Sequence, residues 1–529
     1  MSRAVLQVFE SYQQARTQFV QTVAELSSRP QNIETLQNAN VLQLLRPLLL
    51  DAVPSIQQSA ALALGRLANY SESLAESIVV ADILPQLVYS LSDSNRFFKK
   101  TAAFVLKSIA KHSPELANAC VECGAVEALT SCLNEFDSSV REASAWALGY
   151  IAQHNQILAQ SVVDSGSIPL LVGCMNEPEL SLRRISLSTL SEVTRHSLEL
   201  AQAVVDASVI PNACTLMQHS DAKIKRQSCA LLAQIAKHSA DLAELIVEND
   251  IFPKCFVLLN DPDKIVSKNA ATLIREIVKH SAELSALVVN TGGHAALIQL
   301  CQRENVSSGV KLPAVMALGY IASFGELLAT AIIVKQGLLP LKQLLVAQSE
   351  EEEHIRAASV WAVGQLGRHT TDHARAVAQA DLLRPIAEIV DDPRLIGSDL
   401  REKAQKALKA ILSKCTYAQA LEPILLSAVE QLLRTKGFQN KTCKYLLQQF
   451  SKILPNDSSA RKSFVTSKCL AAVQQLKQHL GQEVVESDRE EASILSDLCT
   501  ITNGCFPVEI VQYYSPNYAE QLIQRMGDA

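Results

Sequence analysis

A histidine recurs through this chain at a spacing that leaves little choice of architecture. Aligned on His154, the same position holds Tyr70, His112, His196, His238, His280, Phe324 and His369, and more loosely Cys415 and Asn456. The first five steps are 42 residues each; the later ones are 44, 45, 46 and 41. A period of this length, drifting where loops take insertions, marks a solenoid whose units bury their apolar faces only against their neighbours. Length alone suggests three or four domains. The repeat replaces them with one stacked array of about ten units.

Six of the eleven histidines occupy that column, so metal binding and catalysis have to be weighed. Successive positions in a stack lie roughly one helix diameter apart, about 10 Å, too far for shared coordination. A histidine in the last turn of a helix instead suits the helix dipole. The next column agrees with a helix end there. Ser71, Ser113, Asn155, Ser197, Ser239, Ser281, Thr370 and Thr416 are all residues that cap a following helix, with Gly325 the exception. Pro114 falls at the first helical position. Leu158, Ala159, Val162 and Val163 then form an apolar stripe, repeated at Leu116 and Leu242. Before the histidine, each unit carries an AxxALGxIA-like segment, as in 144–152 and 314–322.

The glycines of that segment, Gly65, Gly149, Gly319 and Gly364, cost helix stability of about 0.5–1 kcal/mol each. Close approach of a neighbouring helix is the expected compensation. Pro85, Pro169, Pro211, Pro253 and Pro340 mark the turn before the last helix of a repeat, and Gly124, Gly166, Gly293 and Gly337 the end of the helix before it. Each repeat thus reads as a short helix, a long helix ending at the histidine, and a third helix leading to the Pro or Gly turn. Insertions fall at 303–309, 349–353 and 391–399, before the long helix. The acidic run 350–353 reads as a solvated loop.

The opening, MSRAVLQVFESYQQAR, lacks a signal-peptide core, and no apolar run reaches membrane-spanning length. The 13 cysteines are therefore expected to stay reduced, in the cytosol. Cys120 and Cys123 form one C-x-x-C, but with no second pair nearby they read as repeat positions. Residues 1–30 read as a capping helix with Phe9, Tyr12, Phe19, Val23 and Leu26 on one face, and 31–475 as the array with degenerate last repeats. Residues 476–529 read as an acidic linker and a tail with Tyr513, Tyr514 and Tyr518, a cluster that either packs on the last repeat or docks a partner.

A three-helix unit of about 42 residues with a WALG-like segment resembles the armadillo repeat. That resemblance implies an all-α, right-handed superhelical solenoid of about ten three-helix repeats. The opening VLQVFESYQQARTQFVQTVAEL, the phrase RPQNIETLQNA, the segments LALGRLANY and DILPQLVYSL, and the ending VEIVQYYSPNYAEQLIQRM further resemble the armadillo proteins of the central apparatus in motile cilia and flagella. That kinship implies a non-enzymatic cytoskeletal scaffold of the axoneme, associated with a central-pair microtubule and with other central-apparatus proteins, and needed for motility. Self-association edge to edge is also open to such a scaffold. The alternative within the fold is a cytosolic adaptor holding an extended peptide in its concave groove.

Two columns are candidates for partner binding. The first lies four residues before the histidine: Arg66, Ser108, Tyr150, Glu192, Gln234, Glu276, Tyr320 and Gln365. In armadillo proteins this position lines the groove, and nuclear-import adaptors carry Asn there, paired with Trp one turn earlier. Here Trp146 and Trp361 keep the Trp place, yet no Asn accompanies them, which argues against nuclear import. The second column is a basic ridge opening the long helix: Lys99, Lys100, Arg141, Arg183, Arg184, Lys225, Arg226, Lys268, Lys311, Arg356 and Lys403. In a chain of net charge -6 it either attracts acidic partners such as tubulin tails or pairs locally with Glu179, Asp221 and Asp263. No phosphate loop, metal-ligand cluster or nucleophile elbow is legible, so no cofactor, metal or catalytic residue is expected. A pI near 6 and few interleaved aromatics disfavour nucleic acid.

Overall fold

The computed structural model describes residues 3–93, 95–346, 352–434, 441–480 and 489–518. Among these there is no strand. The chain divides into two compact units, Met1–Lys254 and Cys255–Ala529. In the first, the long helices Pro54–Tyr70, Arg96–Ala110, Ser138–Ala152, Leu180–Thr194 and Ala222–Ala236 pack side by side in chain order. In the second, Lys264–Val278, Ser308–Ser323, Glu353–Gly367 and Asp399–Leu412 do the same.

The His154 repeat shows how one unit is built. Asn155 is extended and accepts the backbone N–H of Leu158, starting the helix Gln156–Asp164. Leu158, Ala159 and Val162 on its inner face are buried. Gly166, at φ 75°, turns the chain by 83° into Ser167–Cys174, and the long helix Leu180–Thr194 follows. The caps at Ser71, Ser113, Ser197, Ser239, Ser281 and Thr370 bond in the same way. Left-handed corners recur at Gly124, Ser208, Gly292 and Gln336. The corner therefore lies one residue before the expected Gly293 and Gly337, which instead sit where a Cβ would strike Val288 or Ile332. The prolines fall within the first turn of the last helix rather than ahead of it, as Pro85 does in Leu84–Ser90.

The glycine column is a set of helix contacts. A Cβ at Gly149 would sit 2.7 Å from Thr189 Oγ1. One at Gly65 would sit 2.5 Å from the Phe104 ring, one at Gly364 2.7 Å from Ala407, and one at Gly319 2.7 Å from Trp361 Cε3, clashing with the edge of that ring. The next long helix occupies the space, which is the compensation expected.

The histidine column does something its sequence position does not reveal. His112 Nε2 reaches the Ala68 carbonyl at 2.7 Å, His154 reaches Ala110 at 2.6 Å and His196 reaches Ala152 at 2.7 Å. His238 reaches Thr194 and His369 reaches Ala322, both at 2.6 Å. Each acceptor lies in the last turn of the preceding repeat's long helix. A carbonyl oxygen only accepts, so Nε2 carries the proton. The preceding side chain often assists: Lys111 donates to Asn69 O at 2.6 Å, Gln153 to Lys111 O at 3.3 Å and Lys237 to Arg195 O at 2.9 Å. The histidines thus serve the neighbouring helix's carbonyls rather than the dipole of their own helix.

The ends depart from the repeat. The N-terminal helix Arg3–Leu26 packs on Pro54–Tyr70 as a long helix would, burying Val20, Val23 and Ala24. Phe9 and Tyr12, read as part of its apolar face, are 65% and 61% exposed. A 24-residue helix overhangs a 17-residue partner by roughly 10 Å at 1.5 Å per residue. Past 415 the second and third helices merge into one, Ala418–Arg434, with Pro423 inside it, and no side chain of Thr416 caps it. The helix Arg489–Asn503 stands within the stretch read as linker and tail, and buries Ala492, Leu495 and Cys499 against the helices Lys441–Ile453 and Cys469–Leu480. Residues 350 and 351 of the acidic run, and 481–488 of the linker, lie outside the described residues.

Two outcomes check this packing. Replacing Gly149 by Leu forces side chain into Thr189 and is expected to cost on the order of 1–3 kcal/mol, seen as a lower midpoint in thermal or urea unfolding; an unchanged midpoint contradicts the contact. Replacing His154 by Ala strands the Ala110 carbonyl and is expected to cost about 1–3 kcal/mol, with His154→Gln, which keeps an N–H, losing less.

Candidate functional site

The exposed face of the long helices in the first unit forms two adjoining clefts. The larger, about 410 Å³, lies among helices 54–70, 96–110 and 138–152, and is walled by Leu62, Phe97, Phe104 and Trp146 with Lys100 and Lys107. The smaller, about 160 Å³, continues from Trp146 and Glu142 to Arg184, Ile185 and Ser188.

Helical phase explains the wall. Leu62, Phe104, Trp146 and Ser188 are one column, eight residues before the histidine, and each projects from its long helix beside its equivalents. The expected groove column, four residers later along the chain, is turned about 40° away. None of its first-unit members lines either cleft. Arg66 donates to the Ala24 carbonyl. Ser108 is fully buried and donates to Phe104 O. Tyr150 and Gln234 are half-buried, and Glu192 pairs with Arg195 at 3.3 Å. In the second unit Glu276 is buried between Arg275 and Lys279. Tyr320 meets Trp361 edge-on at 5.0 Å, and Gln365 is half-buried.

The basic ridge separates into two kinds of residue. Lys99 pairs with Glu135 at 2.6 Å and Arg141 with Glu177 at 2.8 Å, both cations largely covered. Arg183 donates to Glu177 O, Arg356 to Leu345 O at 3.1 Å, and Lys403 pairs with Asp399 at 2.7 Å. Arg183 and Arg356 hold the segment just before their own helix, Lys99 and Arg141 reach the loop before the next repeat's long helix, and Lys403 bonds within its own first turn. Their bonded acids are Glu135, Glu177 and Asp399 rather than the expected Glu179, Asp221 and Asp263, which stand at the N-cap positions of the long helices, although the charge of Glu179 still acts on Arg141. Asp221 accepts the N–H of Ile224, a bond that holds its carboxyl below the usual range, with Arg184 adding to the effect. Lys311 is buried and Lys268 exposed. Lys225 and Arg226 follow Asp221 on helix 222–236. Lys100 and Arg184 face the clefts.

Lys107 was not among the expected residues, yet it is the cation best placed in the larger cleft. Its Nζ lies 3.4 Å from the Trp146 ring centroid and 5.6 Å from that of Phe104. Burial, then the charge of Lys111, push its pKa down. The signal was present: in AAFVLKSIA, 102–110, Lys stands where the repeat pattern has Gly. Arg275 makes the same exchange in the second unit and lies against Met316, which occupies the Trp place.

The reactive residue types are absorbed by packing. Cys120 is buried, and burial pushes its thiol up, while Cys123 Sγ donates to the Cys120 carbonyl. Burial also lifts Cys301, Cys469 and Cys499 to about 12. At the C-terminal end, Phe506 stacks on Phe464 at 5.9 Å, anchoring the tail on the helix Ser458–Thr466. Tyr513 remains 61% exposed, with Tyr514 and Tyr518 around it at 5.1 and 5.4 Å.

Comparison with known proteins follows this geometry. Residues 113–153, from the Ser113 cap through Trp146 and Gly149, match the Armadillo/beta-catenin-like repeat model. The whole chain is 65% identical over 525 residues to sperm-associated antigen 6 of Mus musculus, covering 99% of this chain and 98% of that one. The Homo sapiens protein of the same name is 64% identical with the same coverage. The chain belongs to the sperm-associated antigen 6 family. The crystal structure of an engineered protein superposes with a TM-score of 0.67 at 22% identity, covering 87% of this chain and 98% of that one, and so shares the fold. A member of the sperm-associated antigen 6 family is thus an all-α armadillo-repeat protein, a repeat scaffold of the protein-binding kind. No single helix among its described residues is long and apolar enough to cross a membrane.

The division of the ridge is testable. Lys99→Ala and Arg141→Ala should each lower the unfolding midpoint by an amount on the order of 0.5–1 kcal/mol, whereas Lys100→Ala should leave it unmoved; equal effects would contradict the division.

Proposed function

We propose that this protein is a non-enzymatic structural scaffold of the axonemal central apparatus, seated on a central-pair microtubule, bound to other proteins of that assembly, and needed for ciliary and flagellar motility. The observation that carries the reading is the kinship of 64–65% with sperm-associated antigen 6 from end to end, including the segments outside the repeats. The chemistry of the fold supports it. Histidines are used as inter-repeat donors and buried thiols are kept protonated, which leaves surfaces rather than a reaction centre. Such a scaffold resides in the cytoplasm as part of the cytoskeleton of the cilium or flagellum. Its contacts would come from the groove-side residues and the outward members of the ridge, of which Lys100 and Arg184 are the best placed for acidic partners such as tubulin tails.

A second reading, a soluble armadillo adaptor holding an extended peptide, draws on the open cleft beside Trp146. Extraction of isolated axonemes separates the two. A scaffold stays with the axoneme through detergent and leaves only at high salt, because a field of exposed charges is screened by ions. Complete release in detergent would contradict the scaffold and favour the adaptor.

A further inference from the structure

The cleft beside Trp146 has a chemistry specific enough to name what it takes. Its walls are apolar and open: Phe97 is 52% exposed and Trp146 37%, and Phe104 lies between them. Exposed aromatic surface at a concave site is surface that a ligand side chain can desolvate. Over these rings stands Lys107, whose charge is partly stripped of water and placed on the face of the Trp146 indole. Among the described residues, no carboxylate lies within ion-pairing distance of Lys107 or of the exposed Lys100 at the same mouth. Glu142, the one acid lining the cleft, has its Oε2 engaged by Ser181 Oγ at 2.8 Å.

The departure of Lys107 from the glycine column bears on this. At Gly65 and Gly149 the neighbouring helix closes over the position. At 107 the repeat instead carries a long cation, and the space beside it is an open cleft. Folding does not ask for this exchange, since glycine serves the same position in two neighbouring repeats. Lys107, which feels the charge of Glu142 but makes no ion pair with it, and Lys100, both set against apolar walls, complement a ligand with a carboxylate next to an apolar side chain.

We propose that this cleft binds an acidic, extended segment of a partner protein, which seats one apolar side chain against Phe104 and Trp146 and lays a carboxylate on Lys107 and Lys100. The proposal rests on the reading of the chain as a protein-binding scaffold and gives the chemistry of the segment it holds. A nucleic-acid strand fits less well, because it asks for a longer run of cations and is opposed by the chain's net charge of -6.

Trp146 and Trp361 are the two tryptophans, so a full-length Trp361→Phe chain makes Trp146 the sole indole reporter. A synthetic glutamate-rich peptide carrying one leucine is expected to change Trp146 fluorescence saturably, and more weakly as salt rises. A lysine-rich peptide of equal length should not. Lys107→Ala and Lys100→Glu should each weaken the acidic peptide by about tenfold or more, with unfolding midpoints reporting that both variants remain folded. The proposal is overturned by no saturable change, by equal binding of the lysine-rich peptide, by unaltered affinity in both variants, or by tighter binding of oligothymidylate than of the acidic peptide. Axoneme retention is read separately. A chain retained on axonemes yet indifferent to the peptide refutes the cleft alone, and one that binds the peptide yet washes out in detergent refutes the scaffold alone.

Discussion

A helix leaves the carbonyls of its last turn without partners, and in this protein the next repeat supplies the donor. His154 over Ala110 and His196 over Ala152 show the rule: a helix end that would otherwise need water is closed by a ring N–H from the following unit. The consequence is directional. Each repeat completes the one before it, so no repeat is finished alone, and stability is passed along the chain by nearest neighbours. The N-terminal helix Arg3–Leu26 shows the same logic at the open end, where Arg66 donates to the Ala24 carbonyl and the helix stands in for a preceding long helix.

Close approach of the long helices is what brings those donors into range, and the glycine column permits it. Where Gly65 and Gly149 stand, the neighbouring helix fills the space. Where Lys107 and Arg275 stand instead, the side chain extends over Trp146 or Met316 of the next repeat. A structural column thus becomes a place for charge in two repeats, while Ser191 and Ala233 keep it small and neutral in two others. The ridge divides by the same reasoning. Cations that bond the segment before their own helix, such as Arg183, or an acid ahead of the next long helix, such as Lys99, hold the repeats together, whereas Lys100 and Arg184 make no close ion pair among the described residues and face the clefts.

Much of the repeat was legible before any coordinates, because caps and turns are local. Ser113 must accept from Leu116 and Gly166 must turn left-handed whatever surrounds them. What was not legible depends on partners about a repeat away. The acceptor of His154 is 44 residues earlier in the chain, and nothing in its own helix discloses it. The clefts are lined four residues earlier than the groove column, at Phe104, Trp146 and Ser188, because side chains about 40° apart on one helix meet different neighbours, and those neighbours lie a repeat away. Phe9 and Tyr12 carried a good apolar spacing, but spacing does not say how far a partner helix extends. The Arg489–Asn503 helix was hidden by its polar, acidic opening, although Leu495 and Cys499 carry its buried face.

Within each unit the repeats therefore present surfaces, while the histidines of the column and the buried thiols serve the packing. The measurement that tests this most directly is native-state amide hydrogen exchange along the long helices of the first unit. If the carbonyl donors close each helix end, the last turns of helices 96–110, 138–152 and 180–194 exchange as slowly as their centres. If those turns exchange freely while the centres stay protected, the histidine column does not join the repeats and the account fails.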